Sequence, residues 1–124
     1  MSKIDEAKKL LEDLQGRVPD ISDLAIARTN GLVIYTLQKV ASDAKSERML
    51  GGMASALFSI SKRAADELLK GNFKNLNVEI DKGTIFLIFT GKVILIALTR
   101  PEPNLGLLSL ELEDAAGKLN TIFV

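Results

Sequence analysis

Apolar positions along the chain recur with two periods, and the switches between them mark out its elements. Ile4, Ala7, Leu11 and Leu14, with Leu10 beside them, fall three or four apart and predict a helix from Lys3 to Gln15. Ser2 is placed to cap it with Asp5 three residues on, Gly16 offers a left-handed C-terminal cap, and Pro19 bars continuation. Two strand runs follow, Leu24 to Thr29 and Leu32 to Gln38, around Asn30-Gly31, a dipeptide suited to a type I′ hairpin turn. A polar stretch, Lys39 to Lys45, leads into a second helix from about Ser46 to Lys70, with Ser42, Asp43 and Ser46 as possible N-caps and Gly71 as its close. Three strands come next, Lys74 to Ile80, Thr84 to Phe89 and Lys92 to Leu98, joined by turns short enough to make an antiparallel meander. Asn104 then caps a last helix whose stripe is Leu105, Leu108, Leu112, Ala115, Ala116 and Leu119.

The three later strands differ in pattern, and the difference places them. Ile85 to Phe89 and Val93 to Leu98 are apolar on both faces, as expected of central strands covered by helices on both sides. The strand before them alternates, with Leu76, Val78 and Ile80 on one face and Asn75, Asn77 and Glu79 on the other, which predicts an edge. Edge strands ordinarily carry lysine, proline or a bulge against unwanted pairing. From Leu76 to Ile80 only Glu79 is charged, so this edge is expected to pair with something.

The second helix carries more apolar surface than one core takes. Met49, Met53, Leu57, Ile60, Ala64 and Leu68 form one stripe, and Leu50, Ala54, Phe58, Ser61, Ala65 and Leu69 form another beside it. One stripe belongs to the core and the other to a partner. The second is expected to be the partner's, because leaving Leu50, Phe58 and Leu69 wet forgoes roughly 1.5 to 3 kcal/mol each. The small residues Gly51, Gly52, Ala54 and Ser55 are expected to let another helix approach closely.

At 124 residues the chain is expected to be a single domain over 1–124, large enough for a core without disulfides or metal. Sixteen Lys and Arg offset sixteen Asp and Glu, and a net charge of zero argues against a nucleic acid or an anionic membrane as partner. With no His and no Cys, the chain has no thiol nucleophile, disulfide, structural zinc site or imidazole acid-base chemistry. The charged amino terminus is unlike a signal peptide, and the apolar region from Thr84 to Leu98 is broken by Thr90-Gly91-Lys92, so a cytoplasmic protein without membrane insertion is expected. Carboxylate clusters at Asp5-Glu6, Glu12-Asp13 and Glu111-x-Glu113-Asp114 lie on polar helix faces and read as solvated. Gly51-Gly52 lacks the spacing of a phosphate loop. No catalytic residue, metal ligand or cofactor site emerges, and an enzyme is not expected. Arg48, Lys62 and Arg63 border the partner-facing surface and are the charges a partner would meet.

Three stretches together resemble the roadblock/LC7 family, in particular its stand-alone prokaryotic members. They are the hairpin Ile26-Ala27-Arg28-Thr29-Asn30-Gly31-Leu32-Val33-Ile34, the helix start Gly51-Gly52-Met53-Ala54-Ser55-Ala56-Leu57, and Asn104-Leu105-Gly106-Leu107-Leu108-Ser109-Leu110-Glu111-Leu112. The segment Arg100-Pro101-Glu102-Pro103 departs from the family pattern. The resemblance implies an α+β fold of the profilin-like kind, α-β-β-α-β-β-β-α, with five antiparallel strands in the order 2-1-5-4-3, helix 2 on one face and helices 1 and 3 on the other. It also implies a homodimer in which the third strands pair and the second helices pack antiparallel, placing Leu50, Ala54, Phe58, Ser61, Ala65, Leu69, Leu76, Val78 and Ile80 at the interface. Family dimers serve as platforms for small Ras-like GTPases, so a regulatory or scaffold protein is the first expectation, with Arg48, Lys62 and Arg63 facing the GTPase. A small-molecule sensor of the PAS or longin type and a structural light-chain subunit are the other readings. The apolar tail from Thr121 to Val124 either packs or adds to a partner.

Overall fold

The structure, a computed structural model, describes residues 2–37 and 43–123 and, of residue 44, the backbone alone. Helix α1 (Lys3–Arg17) opens with Ser2 as N-cap: the Asp5 amide donates to the Ser2 hydroxyl, whose own proton goes to the Asp5 carboxylate. The helix runs two residues beyond the expected Gln15, so Gly16 lies within it, and the close comes at Val18, whose amide donates to the Leu14 carbonyl. Strands β1 (Ile21–Arg28) and β2 (Val33–Leu37) form the first hairpin. The expected continuation of β2 to Gln38, the possible cap Ser42 and the tail residue Val124 lie outside the described residues.

The hairpin turn differs from the type I′ expected of Asn30-Gly31. Only Gly31 has positive φ, at 95°, and its amide donates to the Arg28 carbonyl, which centres the turn on Thr29-Asn30 and leaves Gly31 as a bulge residue. The Asn30 side chain accepts from the Leu32 amide instead of taking a left-handed backbone. A separate one-residue slip in the pairing falls farther from the turn, between Ile26 and Ala27.

Helix α2 (Ala44–Ala64) is capped by Asp43, whose carboxylate accepts from the Ser46 amide at 2.7 Å. It continues into a π-helical turn, Ala65–Leu69, and the left-handed closing residue is Lys70 at φ 54°, one position before the expected Gly71. Strands β3 (Asn75–Ile80), β4 (Gly83–Phe89) and β5 (Val93–Thr99) form the meander, and α3 (Leu105–Ile122) ends the chain. Asn104 caps α3 by accepting from the Leu107 amide.

All five strands form one antiparallel sheet in the order β2-β1-β5-β4-β3. The two-sided patterns of β4 and β5 do what they predict. Phe86, Ile88, Val93, Leu95 and Ala97 face α1 and α3, joining Ala7, Leu11, Leu14, Leu108, Leu112 and Leu119 in the larger core. Leu87, Ile94 and Ile96 face α2 and form a smaller core with Ala25, Ala27, Ala54 and Phe58. Of the apolar tail, Thr121 and Ile122 extend α3, and Phe123 is buried in the larger core.

Two contacts set the positions of the helices. Gly51 of α2 lies against the turn glycine Gly31, so a Cβ there would press on the Gly31 carbonyl and come within 2.9 Å of Val33 Cγ2. Gly51 is therefore a close approach of helix to hairpin within one chain, whereas Gly52 faces open space. The Ser55 hydroxyl adds a bond to the Thr29 carbonyl at 2.6 Å. At the other end, buried Asp20 holds the loop that departs from the family pattern. Its carboxylate accepts from Arg100 Nε and, at 2.8 Å, from the Asn104 amide, while its carbonyl accepts from the Arg100 amide.

The Asn104 amide and the Arg100 guanidinium hold the Asp20 carboxyl below the ordinary carboxylate range, against the opposing effect of desolvation. A carboxylate with a lowered folded pKa contributes stability above its unfolded pKa and loses it as pH falls through the folded value. Asp20→Asn is therefore expected to lower the melting temperature at neutral pH and to flatten its fall on the acid side, as read by thermal unfolding from pH 7 down to about pH 2. Gly51→Ala is expected to cost about 1 to 3 kcal/mol through overpacking. Gly52→Ala should be neutral or add up to about 1 kcal/mol of helix propensity. Urea unfolding of the two variants measures both.

Candidate protein interface

The inward face of α2 carries Gly51, Ala54 and Ser55. Ala54 and Phe58 turn into the sheet, Phe58 with 8% of its surface exposed, and Leu50 packs against the same cluster. The Phe58 ring lies 4.8 Å from that of Phe89 and 5.8 Å from that of Phe73, centroid to centroid. The expectation that Leu50, Ala54 and Phe58 await a partner is corrected accordingly: the chain's own sheet takes them. The physical reason is the Gly51 contact, since small side chains allow the helix to settle on the hairpin backbone and bring their neighbours inward. Ser61 and Ala65 are half-buried on the same side, and Leu69, beyond the π-helical turn, is exposed.

The opposite face holds the unpartnered surface. Met49, Met53, Ile60 and Leu68 are 54%, 55%, 67% and 78% exposed, with the small residues Gly52, Ala56 and Ala64 also on the surface. Four large apolar side chains aligned along a helix exceed the scatter normal on a monomer. The sequence pattern contains this stripe, but periodicity does not say which of two adjacent stripes points inward. What decides it is the contact of Gly51 with the turn glycine Gly31, which spacing within the helix does not reveal.

Beside this stripe the same face of the sheet is incompletely covered. Helix α2 packs on β1, β2 and β4, and the far end of the sheet carries a depression of about 220 Å³ lined by Ile80, Ile85, Leu98 and Thr84 among others. Ile80 is exposed, and Leu76 and Val78 are half-buried on this side. Strand β3 is an edge, as its alternation predicts. The Lys74 carbonyl accepts from the Phe89 amide, and the register pairs Asn75 with Ile88. Antiparallel alternation then turns the backbone groups of Asn75, Asn77 and Glu79 outward to the open edge.

The three rim cations are not brought together. Arg48 and Lys62 are separated by roughly 21 Å along the helix at 1.5 Å per residue. Lys62 pairs with Asp66 at 3.0 Å and Arg63 with Glu67 at 3.1 Å, both solvent-exposed pairs one helical turn apart. Such pairs are worth only about 0.3 to 0.5 kcal/mol, so neither cation is locked in place. Arg48 lies in the first turns of α2 near Asp43, whose carboxyl is held low mainly by hydrogen bonds from Ser46, with a smaller contribution from Arg48. No group of three or more carboxylates suited to a metal ion occurs among the described residues, and none of their helices is long and apolar enough to cross a membrane.

The sheet order, the helix distribution and the hairpin-to-helix contact bear on what the chain resembles, and the family comparison decides it. The roadblock/LC7 domain matches residues 7–99. The chain belongs to the roadblock/LC7 domain family. It is 33% identical over 94 residues to the uncharacterized protein MJ0310 of Methanocaldococcus jannaschii, covering 76% of this chain and 80% of that one. Among solved structures it superposes on Myxococcus xanthus MglB with a TM-score of 0.85 at 18% identity, covering 95% of this chain and 94% of MglB. An MglB structure in a tetrameric arrangement gives a TM-score of 0.87 at 15% identity, covering 99% of this chain and 91% of that chain. At these identities the two structures share the roadblock fold with this chain.

The two faces of α2 respond oppositely to charge. Ile60→Asp is expected to change monomer stability by less than about 0.5 kcal/mol, as surface substitutions do. Phe58→Asp should cost more than about 3 kcal/mol, since it empties an aromatic cluster and buries a carboxylate. Urea unfolding at low protein concentration, where association contributes least, compares the two directly.

Proposed function

We propose that this roadblock chain forms a homodimer through α2 and β3, and that the dimer is a non-catalytic cytoplasmic platform that binds a small Ras-like GTPase and modulates its nucleotide state or location. The observation that carries the reading is the pairing, on one molecule, of an exposed apolar helix stripe with an uncovered apolar end of the same sheet face. Two copies related by a two-fold axis bring both to one seam: the α2 helices pack antiparallel through the stripe Met49, Met53, Ile60 and Leu68, and the apolar ends at Ile80, Ile85 and Leu98 adjoin across it. The open edge of β3 supports the same arrangement, because two β3 edges running antiparallel complete each other's ladder. Leu69, Leu76, Val78 and Ile80 belong to this interface, with Ser61 and Ala65 at its margin. The fold shared with MglB in a tetrameric arrangement supports assembly from repeated copies.

The GTPase-binding part rests on family membership and on the surface a dimer would present. Two α2 helices side by side form a floor flanked by Arg48, Lys62 and Arg63, whose ion pairs are weak enough to be exchanged for a partner's carboxylates. With neither His nor Cys in the sequence, the chain is read as supplying surface and charge while the partner supplies nucleotide chemistry.

Light scattering after size exclusion, across a wide concentration range, is expected to give twice the 13.5 kDa chain mass, falling to the monomer in Ile60→Asp. A wild-type monomer at all concentrations overturns the dimer. Ras-like GTPases of the same organism, loaded with GDP or a GTP analogue, are expected to bind the dimer in a nucleotide-dependent way. Arg63→Ala separates two modes of action: loss of a rim charge weakens association severalfold, whereas loss of an inserted arginine lowers hydrolysis by roughly 10³ or more. Failure of every candidate GTPase to bind in either nucleotide state overturns the platform reading.

A further inference from the structure

On the other side of the sheet, away from α2 and β3, an open cavity of about 420 Å³ gathers three cations over an apolar wall. Lys3 is the first residue of α1, Arg28 the last of β1, and Lys92 immediately precedes β5. The cross-strand pairing of Arg28 with Val93 sets Arg28 beside Lys92, and α1 brings Lys3 across to them. Ile4, Ile34 and Phe123 supply the wall, Ile4 half exposed and Phe123 buried in the larger core.

The charge arrangement is lopsided for a chain of zero net charge. Among the described residues no carboxylate side chain lines the cavity. Five cations, Arg17, Lys62, Arg63, Arg100 and Lys118, have a carboxylate within 3.2 Å, and the remaining described cations, the three at the cavity among them, have none. The side chains of Lys3, Arg28 and Lys92 have neither an ion pair nor a hydrogen bond among the described residues. The nearby Asp5 is committed to the cap of α1, where it accepts from the Ser2 hydroxyl at 2.8 Å. Three like charges around one concavity repel one another, and a dianion placed among them removes that repulsion while taking charge-assisted hydrogen bonds. A phosphate monoester carries a charge between about −1.5 and −2 at neutral pH, and Arg28 offers a planar fork suited to two of its oxygens. Inorganic phosphate alone would leave Ile4 and Ile34 unused.

We propose that this cavity binds a soluble phosphate monoester with an apolar body, the phosphate held by Lys3, Arg28 and Lys92 and the hydrocarbon part lying on Ile4 and Ile34. The volume falls within the range of small-molecule sites, and the site needs no residue of the dimer face.

The test is a phosphate-free titration of the whole protein, followed by amide and isoleucine-methyl NMR, with phenyl phosphate and inorganic phosphate as probes. Phenyl phosphate is expected to shift Ile4, Ile34 and the amides of Lys3, Arg28 and Lys92 saturably, with a dissociation constant of about 1 mM or below, in the range of small fragments. Inorganic phosphate should bind severalfold more weakly. Arg28→Gln combined with Lys92→Gln should weaken phenyl phosphate by roughly tenfold or more, because each removes a charged hydrogen bond. Both positions are at the surface, and an unchanged spectrum elsewhere verifies the fold of the variant. No saturation up to about 10 mM, shifts spread over lysines across the whole surface, equal binding of the two probes, or an unaffected variant each overturns the proposal.

Discussion

The contact between Gly51 and Gly31 decides what kind of surface this protein has. A helix lying on a sheet is normally held off by side chains on both, and its rotation about its own axis is then set by whichever of those chains is bulkiest. Here two glycines remove the spacer at one point, the helix backbone comes down on the hairpin turn, and the Ser55 hydroxyl locks the contact through the Thr29 carbonyl. Rotation is thereby fixed. Ala54 and Phe58 go inward, and the opposite face, with Met49, Met53 and Ile60, is turned out into water.

This explains which parts of the molecule were legible in the sequence. Element order, the central places of β4 and β5, and the edge place of β3 follow from local patterns, because burial on two faces, one face or none writes directly into apolar spacing. The orientation of α2 does not follow in that way. Two adjacent stripes of similar bulk are equivalent on a helical wheel, and the cost of leaving Leu50, Phe58 and Leu69 wet does not say whether the chain's own sheet or a partner covers them. Steric fit of Gly51 to a turn twenty residues earlier chose otherwise. The hairpin misled for a related reason: Asn30-Gly31 has the composition of a type I′ turn, yet the Gly51 contact is made with a bulged turn in which Gly31 alone takes positive φ.

The Asp20 cluster shows the same limit from the polar side. Arg100-Pro101-Glu102-Pro103 looks irregular in sequence, and nothing local says what holds it. Its partner is a carboxylate some eighty residues earlier that binds both the guanidinium and the amide of the next helix cap. A single buried Asp thus joins the start of β1, the end of β5 and the start of α3. The three cations around the opposite cavity are likewise separate in sequence: β-pairing brings Arg28 beside Lys92, and helix packing brings Lys3 to them.

That pairing has a further consequence, for the order in which the chain assembles. β1 is an early strand whose neighbours are β2 beside it in sequence and β5 near the end, with Arg28 opposite Val93 and Ile21 opposite Thr99. Until β5 has been made, β1 has one open edge and neither hydrophobic core has its central strand. Contacts of such long sequence separation slow folding, because loop closure must come before they repay it. The central strand β5 contributes to both hydrophobic cores, so its pairing with β1 joins the two halves of the chain and both cores at one seam.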